Sequence, residues 1–348
     1  MQQPEPTALN SGRVYPERIA AAAHGRELLE HLSAAYPHSS PTEWAAHVAA
    51  GRVHLDGAPA LNPATPLREG ALLEYHRPAW PEPVAPRWLH VLHRGAGGLL
   101  VCCKPSGLPT LPSEMFWEHT ALAVLRRAAA EGAAAPTPVH RLGVGTSGVL
   151  LCAATPSARA ALGTALQQRR ITKTYRALAS GLVQADAFEI DVPIGPVAHA
   201  SYCGSVHAAV PGGGDGARPA LSRVRLLRRD EARNASLVEV EIPTGRPHQI
   251  RIHLAYAGHP LVGDPLYAAG GVPKAAAAVD DGSGGARPPL PRDTGYLLHA
   301  ARVELEWGGA PLVVHAPPPK ALSLEGEPTL EALGDDPGVE VLDATERG

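Results

Sequence analysis

Short apolar segments of strand length, bounded by glycine and proline, dominate the chain between residues 89 and 243. They occur at residues 89–104, 148–154, 174–180, 222–229 and 235–243. One strong helical segment, SARAALGTALQQRR, lies among them. A doubly wound sheet would need a crossover helix between most of its parallel strands, and too few helical segments are present for that. The sequence therefore predicts an α+β fold, in which helices pack on a mixed, mainly antiparallel sheet.

A proline-rich segment precedes this region. RPAWPEPVAPRW has four prolines in twelve residues, which is typical of a stiff, extended linker. We place the linker at residues 81–88, ahead of a large domain at residues 89–320. A length of 348 residues agrees with one domain of ordinary size and one smaller unit.

The smaller unit is predicted at residues 25–80, after a flexible N-terminus at residues 1–24. Two helices are indicated, RELLEHLSAAY and SSPTEWAAHVAAG, and the second has Ser40 as its N-cap. GRVHLDGAPA then alternates around an Asp-Gly pair, which is typical of a hairpin turn. Two helices followed by GRVxxDG resemble the small S4-type RNA-binding module.

Composition limits the class of protein. No apolar run is long enough to span a membrane and the first twenty residues lack a secretory signal. We therefore expect a soluble, intracellular protein, with its compartment left open. The four cysteines show no CxxC spacing, which favours buried thiols over disulfides or a zinc site.

Charge is distributed unevenly around the net value of −3. Residues 321–348 contain eight acidic residues against Arg347 alone, so we expect an acidic, disordered tail. Two basic clusters, RRITKTYR and RPALSRVRLLRR, indicate either solvated faces or phosphate contacts. Residues 269–294 are of low complexity and are expected to form a mobile insertion.

Two distant segments place polar side chains among strand-forming residues. The first is PVHRLGVGTSGVLL and the second is IPTGRPHQIRIHLAYAGHPLVGDPLY. In an extended chain, the near-alternate Arg246, His248, Arg251 and His253 would direct several donors to one face. Donors without neighbouring acids favour an anionic ligand, and the arginine fork suits phosphate oxygens.

These segments carry a specific resemblance. PVHRLGVGTSGVLLCA, KTYRALASG, RPALSRVRLL, TGRPHQIRIHLAYAGHPLVGDPLY and YLLHA resemble the ordered motifs of the RluA-type pseudouridine synthases, and KPSGLPT resembles their opening KPxG element. The resemblance implies the pseudouridine synthase fold, no cofactor, and an enzyme that isomerises uridine to pseudouridine in a structured tRNA or rRNA. RNA is the expected partner, membrane association is not expected, and the protein is expected to be a monomer.

The resemblance is incomplete at one position. The family motif reads HRLD with a catalytic Asp, whereas this chain reads HRLG with Gly143, and no Asp or Glu occurs from Ala133 through Gln184. The chain resembles a plant-type branch of the family that reads HRLG. Three hypotheses stay open: an active enzyme with a relocated acid, a branch that works differently, and a catalytically silent RNA-binding protein.

The resemblance assigns further site residues by motif. Tyr175 is expected to stack on the flipped base, although alone it reads as a sheet core residue. Arg251 matches the arginine that pairs with the catalytic Asp and would here lack its partner. Asp264 is the nearest replacement acid by motif, or a turn residue. The remaining RNA-binding residues are expected to be His140, Arg141, Arg169, Arg170, Lys173, Arg246 and His248.

Two other kinds of site carry less weight. Thr146 and Ser147 are more typical of a turn than of a nucleophile, so a hydrolase built on Ser147 would rest on the TSG turn alone. A zinc site at His248, His253 and His259 would lack a thiol or carboxylate at ligand spacing. No metal site is therefore expected.

Overall fold

The computed structural model describes residues 9–113, 115–130, 132–199, 202–274, 279–280, 286–335 and 340–343. The chain divides into two compact units, Met1–Pro83 and Val84–Gly348. The division falls inside the proline-rich segment. In the described residues no helix combines the length and hydropathy that a membrane crossing requires.

The first unit is a small α/β module. Its elements are β1 (Arg13–Arg18), α1 (Leu28–Ala35), α2 (Pro41–Ala49), β2 (Val53–Leu55), β3 (Ala58–Pro59) and β4 (Leu72–Arg77). The strands form one antiparallel sheet in the order β1-β4-β2-β3. A capping box between Ser40 and Glu43 starts α2, as the sequence predicts. Leu28, Trp44 and Val48 are buried in the core under the sheet.

Strand β1 differs from the flexible N-terminus that we expect at residues 1–24. It pairs along its whole length with β4, and Glu17 accepts a hydrogen bond of 2.7 Å from the Tyr36 hydroxyl. Pro16 is compatible with the strand because β1 lies at the sheet edge, where a missing N–H breaks no internal ladder. The alternating exposure of RVYPER is the sequence signal for this strand.

The second unit contains a large mixed sheet. Its strands are β5 (Trp88–Gly95), β6 (Leu99–Lys104), β7 (Thr137–Pro138), β8 (Ser147–Ala153), β9 (Thr172–Ser180), β10 (Ala187–Ile190), β11 (Ile194–His199), β12 (Tyr202–Ala209), β13 (Ser222–Asp230), β14 (Ala235–Glu241), β15 (Tyr267–Ala268), β16 (Val272–Pro273), β17 (Val279–Asp280), β18 (Ala286–Arg287), β19 (Leu298–Trp307), β20 (Ala310–His315) and β21 (Glu340–Asp343). Its helices are α3 (Ala121–Ala128), α4 (Pro156–Gln167) and α5 (Gln249–Tyr256). Short 3-10 turns lie at Ala21–Ala23 in the first unit and at Ala96–Gly98, Lys320–Leu322 and Leu330–Asp335 in the second.

The main sheet has eleven strands. Nine follow the order β10-β13-β14-β9-β19-β8-β6-β5-β21, with β20 paired to β19 and β7 paired to β8. Among the described pairings of this sheet, β8 with β19 is parallel and the others are antiparallel. The prediction of an α+β fold with a mixed, mainly antiparallel sheet is confirmed.

The acidic C-terminal segment differs from the disordered tail that we expect at residues 321–348. Leu322 is buried against the sheet, and β21 pairs with β5 so that Leu342 lies opposite Leu89. The segment is acidic overall, but it also contains a few large apolar residues that reach the core. Their burial orders the segment. Residues 336–339 and 344–348 lie outside the described residues.

The low-complexity segment at residues 269–294 is described in part. Gly271 lies against α5, where an added Cβ would be 2.8 Å from the Ile252 carbonyl oxygen. Further along, Arg287 forms a two-pronged ion pair with Asp293 at 2.6 and 2.8 Å. Residues 275–278 and 281–285 of the expected mobile insertion lie outside the described residues.

Candidate active site

The site is built where three adjacent strands of the main sheet meet. Ala300 on β19 lies opposite Tyr175 of β9 on one side and Gly148 of β8 on the other. Gly148 has a φ of +105°, and an added Cβ would collide with the Ala300 carbonyl oxygen. The glycine of the TSG motif is therefore required by the close approach of β8 to β19.

The loop that leads into β8, residues 140–146, is held by hydrogen bonds within its own turn and to Ser106 and Thr110. Its Thr146 amide donates to the Gly143 carbonyl at 3.1 Å, which closes a tight turn. Thr110 accepts from the Leu142 amide at 3.1 Å and donates to the Leu142 carbonyl at 3.0 Å. Ser106 donates to the Gly145 carbonyl at 2.8 Å. These contacts fix the loop backbone before any ligand binds.

Lys104, from the KPSG element, lies beneath this loop and is a residue that the sequence reasoning missed. Its Nζ is completely buried and donates to the carbonyls of Pro105 at 2.8 Å, Leu108 at 2.7 Å and Val144 at 3.3 Å. Burial lowers the pKa of Lys104 to about 7. The three carbonyl acceptors show that this lysine positions the loop rather than meeting solvent anions.

His140 and Arg141 begin the loop and have different environments. His140 Nε2 accepts a hydrogen bond of 3.0 Å from the Leu151 amide, and burial lowers the pKa of the ring to about 4. The imidazole is therefore neutral and ties the loop to β8. Arg141 is exposed, so its guanidinium is available to solvent and to a ligand.

Gly143 lies in this loop beside the side chain of Tyr296. A Cβ added at Gly143 would be 2.7 Å from the Tyr296 hydroxyl oxygen and 3.3 Å from the Thr146 hydroxyl oxygen. The backbone of Gly143 does not adopt a positive φ, so the position is open to other residues as far as backbone conformation is concerned. What limits a side chain here is Tyr296.

The second motif segment forms α5 rather than the extended chain that we expect for it. Gln249 through Ala255 are all buried, so α5 is enclosed except at its last residue, Tyr256. Within α5, His253 contacts the Ser222 hydroxyl at 2.9 Å and the Val192 carbonyl at 3.0 Å. The alternation of donors in the sequence is therefore wrong as a guide to a single ligand-facing surface.

Arg251 does not lack an acidic partner. Its Nε and Nη2 donate to the two carboxylate oxygens of Asp264 at 2.7 and 2.8 Å, and both side chains are buried. Burial opposes ionisation of Asp264. The bonds from Arg251 and from the amides of Leu266 and Tyr267 outweigh it, so the pKa of the Asp264 carboxyl is below its ordinary value. Asp264 thus balances Arg251 and also shapes the turn that follows it.

The arginine lies between two aromatic rings. Its guanidinium carbon is 4.1 Å from the ring centroid of Tyr296 and 5.0 Å from that of Tyr267. The Tyr296 ring therefore connects Arg251 to Gly143. The structure brings these two sequence-predicted positions together, although they are more than a hundred residues apart.

His248 occupies the N-cap of α5 with a φ of +55°, a left-handed conformation that is uncommon outside glycine. The Tyr267 hydroxyl donates to the His207 carbonyl at 2.9 Å, so its oxygen accepts from His248 Nδ1 at 2.8 Å. Burial, reinforced by the charge of Arg251, lowers the pKa of His248 to about 3. The ring is neutral, and its Nε2 carries a lone pair.

The predicted basic cluster RRITKTYR is divided by the structure. Arg169 and Arg170 are exposed just beyond α4. Lys173 is largely buried, its burial lowers its pKa, and its Nζ is 3.3 Å from the position of a Cβ added at Gly245. Arg246, next to that glycine, donates from Nε to the Pro219 carbonyl at 3.0 Å. Lys173 and Arg246 are therefore grouped together, apart from the exposed pair.

Tyr175 is a buried residue of β9, and burial raises the pKa of its phenol to about 12. Its position opposite Ala300 places it beside β19, the strand that follows Tyr296.

The second basic cluster, on β13, is ion-paired: Arg223 contacts Glu189 and Glu241 at 2.9 and 2.7 Å. The solvated-face interpretation fits that cluster better than phosphate binding does.

Ser147 and His299 form a buried hydrogen-bonded pair that has a structural role. Their side chains are 2.8 Å apart, and His299 Nε2 contacts the Ala316 carbonyl at 3.0 Å. Burial lowers the pKa of His299 to about 4. His259, in turn, contacts the Ser180 carbonyl at 2.9 Å, away from the contacts of His253. His299 and His259 therefore bind backbone carbonyls at or near strand ends and stabilise the local structure.

Comparison with known proteins places these motifs in a family. A profile of the RNA pseudouridylate synthase family matches residues 98–256. RNA pseudouridine synthase 5 of Arabidopsis thaliana is 41% identical over 336 residues, covering 85% of this chain and 89% of the relative. A ribosomal large subunit pseudouridine synthase D of Pseudomonas aeruginosa is 32% identical over 249 residues, covering 70% and 74%.

A solved structure agrees. Human RNA pseudouridylate synthase domain containing 1 superposes with a TM-score of 0.50 at 25% identity and covers 70% of this chain and 89% of that one. The region matched by the family profile, residues 98–256, contains the loop before β8, strand β9 and helix α5, which contribute to the candidate site. The chain belongs to the RNA pseudouridine synthase family and is an enzyme of the isomerase class.

Proposed function

We propose that this enzyme converts uridine to pseudouridine in a structured tRNA or rRNA, at a site formed by the loop before β8, Tyr175 and the N-terminal end of α5. The main support is the convergence of the motif residues. Tyr296 lies against the Arg251 guanidinium and beside Gly143, although the three residues come from separate parts of the chain. The motif resemblance implies no cofactor, and none is included in the proposal.

Each proposed role is supported by the environment of its side chain. Tyr175 stacks on the base after it leaves the helix of the RNA, since its ring is held by the sheet. Arg141, Arg169 and Arg170 are exposed and contact phosphates. Lys173, Arg246, His140 and His248 line the approach to the site and hold the flipped nucleotide.

The small N-terminal unit adds affinity for structured RNA. Its helix pair and hairpin resemble the S4-type module, and α2 with β2 provides the framework for that interaction. Because one relative bears a name that refers to the large ribosomal subunit, rRNA is the first substrate to test. The protein acts as a monomer in this proposal, and light scattering of the purified chain measures its mass directly.

The experiment is pseudouridine mapping by chemical labelling and mass spectrometry. Purified protein is incubated with unmodified rRNA and tRNA, and RNA from cells that lack the gene is mapped in parallel. We expect at least one uridine to become pseudouridine in vitro and the same site to be lost on deletion. Tyr175→Leu, which removes the stacking ring, should lower the rate, and Tyr256→Leu is the matched control because Tyr256 is exposed at the C-terminal end of α5.

The silent RNA-binding alternative has one observation in its favour, the absence of a carboxylate at residue 143. It predicts RNA binding by the wild-type protein with no pseudouridine formed at any site. That result, together with an unchanged modification map in the deletion strain, would contradict the enzymatic proposal.

A further inference from the structure

The hydroxyl of Tyr296 lies where a residue 143 side chain would begin. It is 2.7 Å from the ideal Cβ position at Gly143, and the Thr146 hydroxyl at 3.3 Å is the other atom within 4 Å. The ring carbons of Tyr296 are farther away than that. The bond from the ring to its oxygen is therefore directed at Gly143, and the oxygen fills the space that a carboxylate side chain would need.

Gly145 shows the same relation from the other end of the turn. A Cβ added there would be 2.9 Å from both Cε1 and Cζ of Tyr296. Neither Gly143 nor Gly145 has a positive φ. The two glycines of the GVG sequence are consequently explained by the space that Tyr296 occupies, and not by backbone conformations that only glycine adopts.

Arg251 supplies a second, independent observation. Its Nε and Nη2 are used by Asp264, but its buried Nη1 has no hydrogen-bond partner among the described residues. A buried, charged donor without an acceptor costs stability unless a ligand supplies the acceptor. This donor belongs to the guanidinium that lies over the Tyr296 ring. A ligand oxygen that meets Nη1 would thus be close to the tyrosine as well.

We propose that Tyr296 is a catalytic residue of this enzyme, and that its hydroxyl performs at the sugar of the bound uridine the task that the family gives to a carboxylate. Nη1 of Arg251 donates to the same nucleotide. The proposal deepens the proposed function and rests on it. Asp264 is poorly placed for this task, because it is engaged by Arg251 and by two backbone amides.

The step balances as an isomerisation. The Tyr296 phenol gives its own proton to O2 of the uracil and its oxygen takes the proton of C2′ of the ribose, while the C1′–N1 bond breaks and its electron pair stays on the uracil, leaving a C1′–C2′ double bond. When the turned base rejoins, carbon 5 forms the bond to C1′, Tyr296 returns its proton to C2′, and its oxygen takes the hydrogen of carbon 5. The proton given to the uracil ends on N1, so no co-reactant is consumed.

The test uses the full-length protein and the RNA that wild-type enzyme modifies. Tyr296→Phe keeps the ring over Arg251 and removes the oxygen alone. We expect pseudouridine formation to fall about 100-fold or more, as for loss of an acid–base group, with RNA affinity changed by less than about twofold. Tyr256→Phe, at the exposed C-terminal end of α5, should retain wild-type activity.

A rescue variant separates chemistry from structure. In Gly143→Asp with Tyr296→Phe, the new side chain has space because the colliding oxygen is gone. We expect this double variant to recover about 10-fold or more of the rate lost in Tyr296→Phe, whereas Gly143→Ala with Tyr296→Phe should recover none. A merely structural tyrosine would not be replaced by a carboxylate on another element.

Each result has one interpretation. A Tyr296→Phe enzyme of full activity overturns the proposal, as does a folded double variant that gains nothing over Tyr296→Phe. Melting curves of all variants establish that they are folded. If the wild-type protein itself forms no pseudouridine on any RNA, the proposed function fails first, and that result is distinct from an active wild type with an active Phe variant.

Discussion

Replacing Asp264 by Asn is expected to destabilise the second unit strongly. The pair it would break is buried on both sides, with side-chain exposures of 2% for Arg251 and 1% for Asp264. Removing one partner of a buried ion pair leaves an uncompensated charge and costs about 3–5 kcal/mol. For a unit of this size, about 1 kcal/mol lowers Tm by about 2–4 °C, so a fall of roughly 6–20 °C is expected.

The control is an ion pair of the same chemistry at the surface. Arg225 and Glu239 are 2.7 Å apart, but the arginine side chain is 61% exposed. Glu239→Gln should therefore cost no more than about 1 kcal/mol. Both variants are compared with wild type by thermal and urea unfolding followed by circular dichroism. Equal shifts for Asp264→Asn and Glu239→Gln would refute the assignment of a buried, stabilising pair.

The pH dependence gives a second measure of the same pair. The pKa of Asp264 is lowered in the folded protein, so its contribution to stability is complete above the unfolded value of about 3.9 and is lost as pH falls through the folded value. The stability difference between wild type and Asp264→Asn should accordingly be constant from neutral pH to about pH 5 and shrink below about pH 4. A difference that shrinks near neutrality would point to another group.

Three further expectations follow from the structure. Gly143→Ala should lower the free energy of unfolding in urea titrations by about 1–3 kcal/mol, because its Cβ would meet the Tyr296 hydroxyl. In a Tyr296→Phe background this cost should fall to near zero, and equal costs in both backgrounds would contradict the contact. Changing the exposed Arg169 and Arg170 to Gln should weaken RNA binding and reduce the slope of log K against log salt concentration by about 2. Filter binding from low to moderate salt measures this slope, and an unchanged slope would exclude phosphate contacts at these residues. Truncation after Lys320 should lower Tm by removing β21 and buried Leu322, a loss that differential scanning calorimetry would detect and that an unordered tail would not produce.

Much of the fold could be predicted from local pattern. Apolar segments between glycines and prolines predicted the antiparallel strands, and Ser40 with Pro41 predicted the start of α2, because these signals act within a few residues. The secondary structure of the segment after Thr244 was harder to predict. Arg251 and His253 are polar by type but are satisfied inside a buried helix, so their alternation suggested a strand that does not form.

The candidate site could be located by motif but not explained by it. The sequence showed that no acid lies near Gly143 along the chain, and it could not show that Tyr296 lies there in space. That contact depends on β19 running parallel to β8, a pairing between segments about 150 residues apart. Lys104 was missed for a related reason, because its three carbonyl partners come from the loops around it.

The charge balance around Arg251 explains how the fold tolerates glycine at residue 143. If a carboxylate at that position were the only partner of the guanidinium, its loss would leave a buried cation, and the site would be expected to unfold or to lose the arginine. Asp264 already supplies a two-pronged partner, so the pair is neutral without residue 143. A carboxylate introduced by Gly143→Asp would then bring a second negative charge toward a neutral pair and toward the Tyr296 oxygen. Its interaction with Nη1 would have to offset both its own desolvation and that crowding. The glycine is therefore the electrostatically compatible residue as long as Tyr296 keeps its hydroxyl.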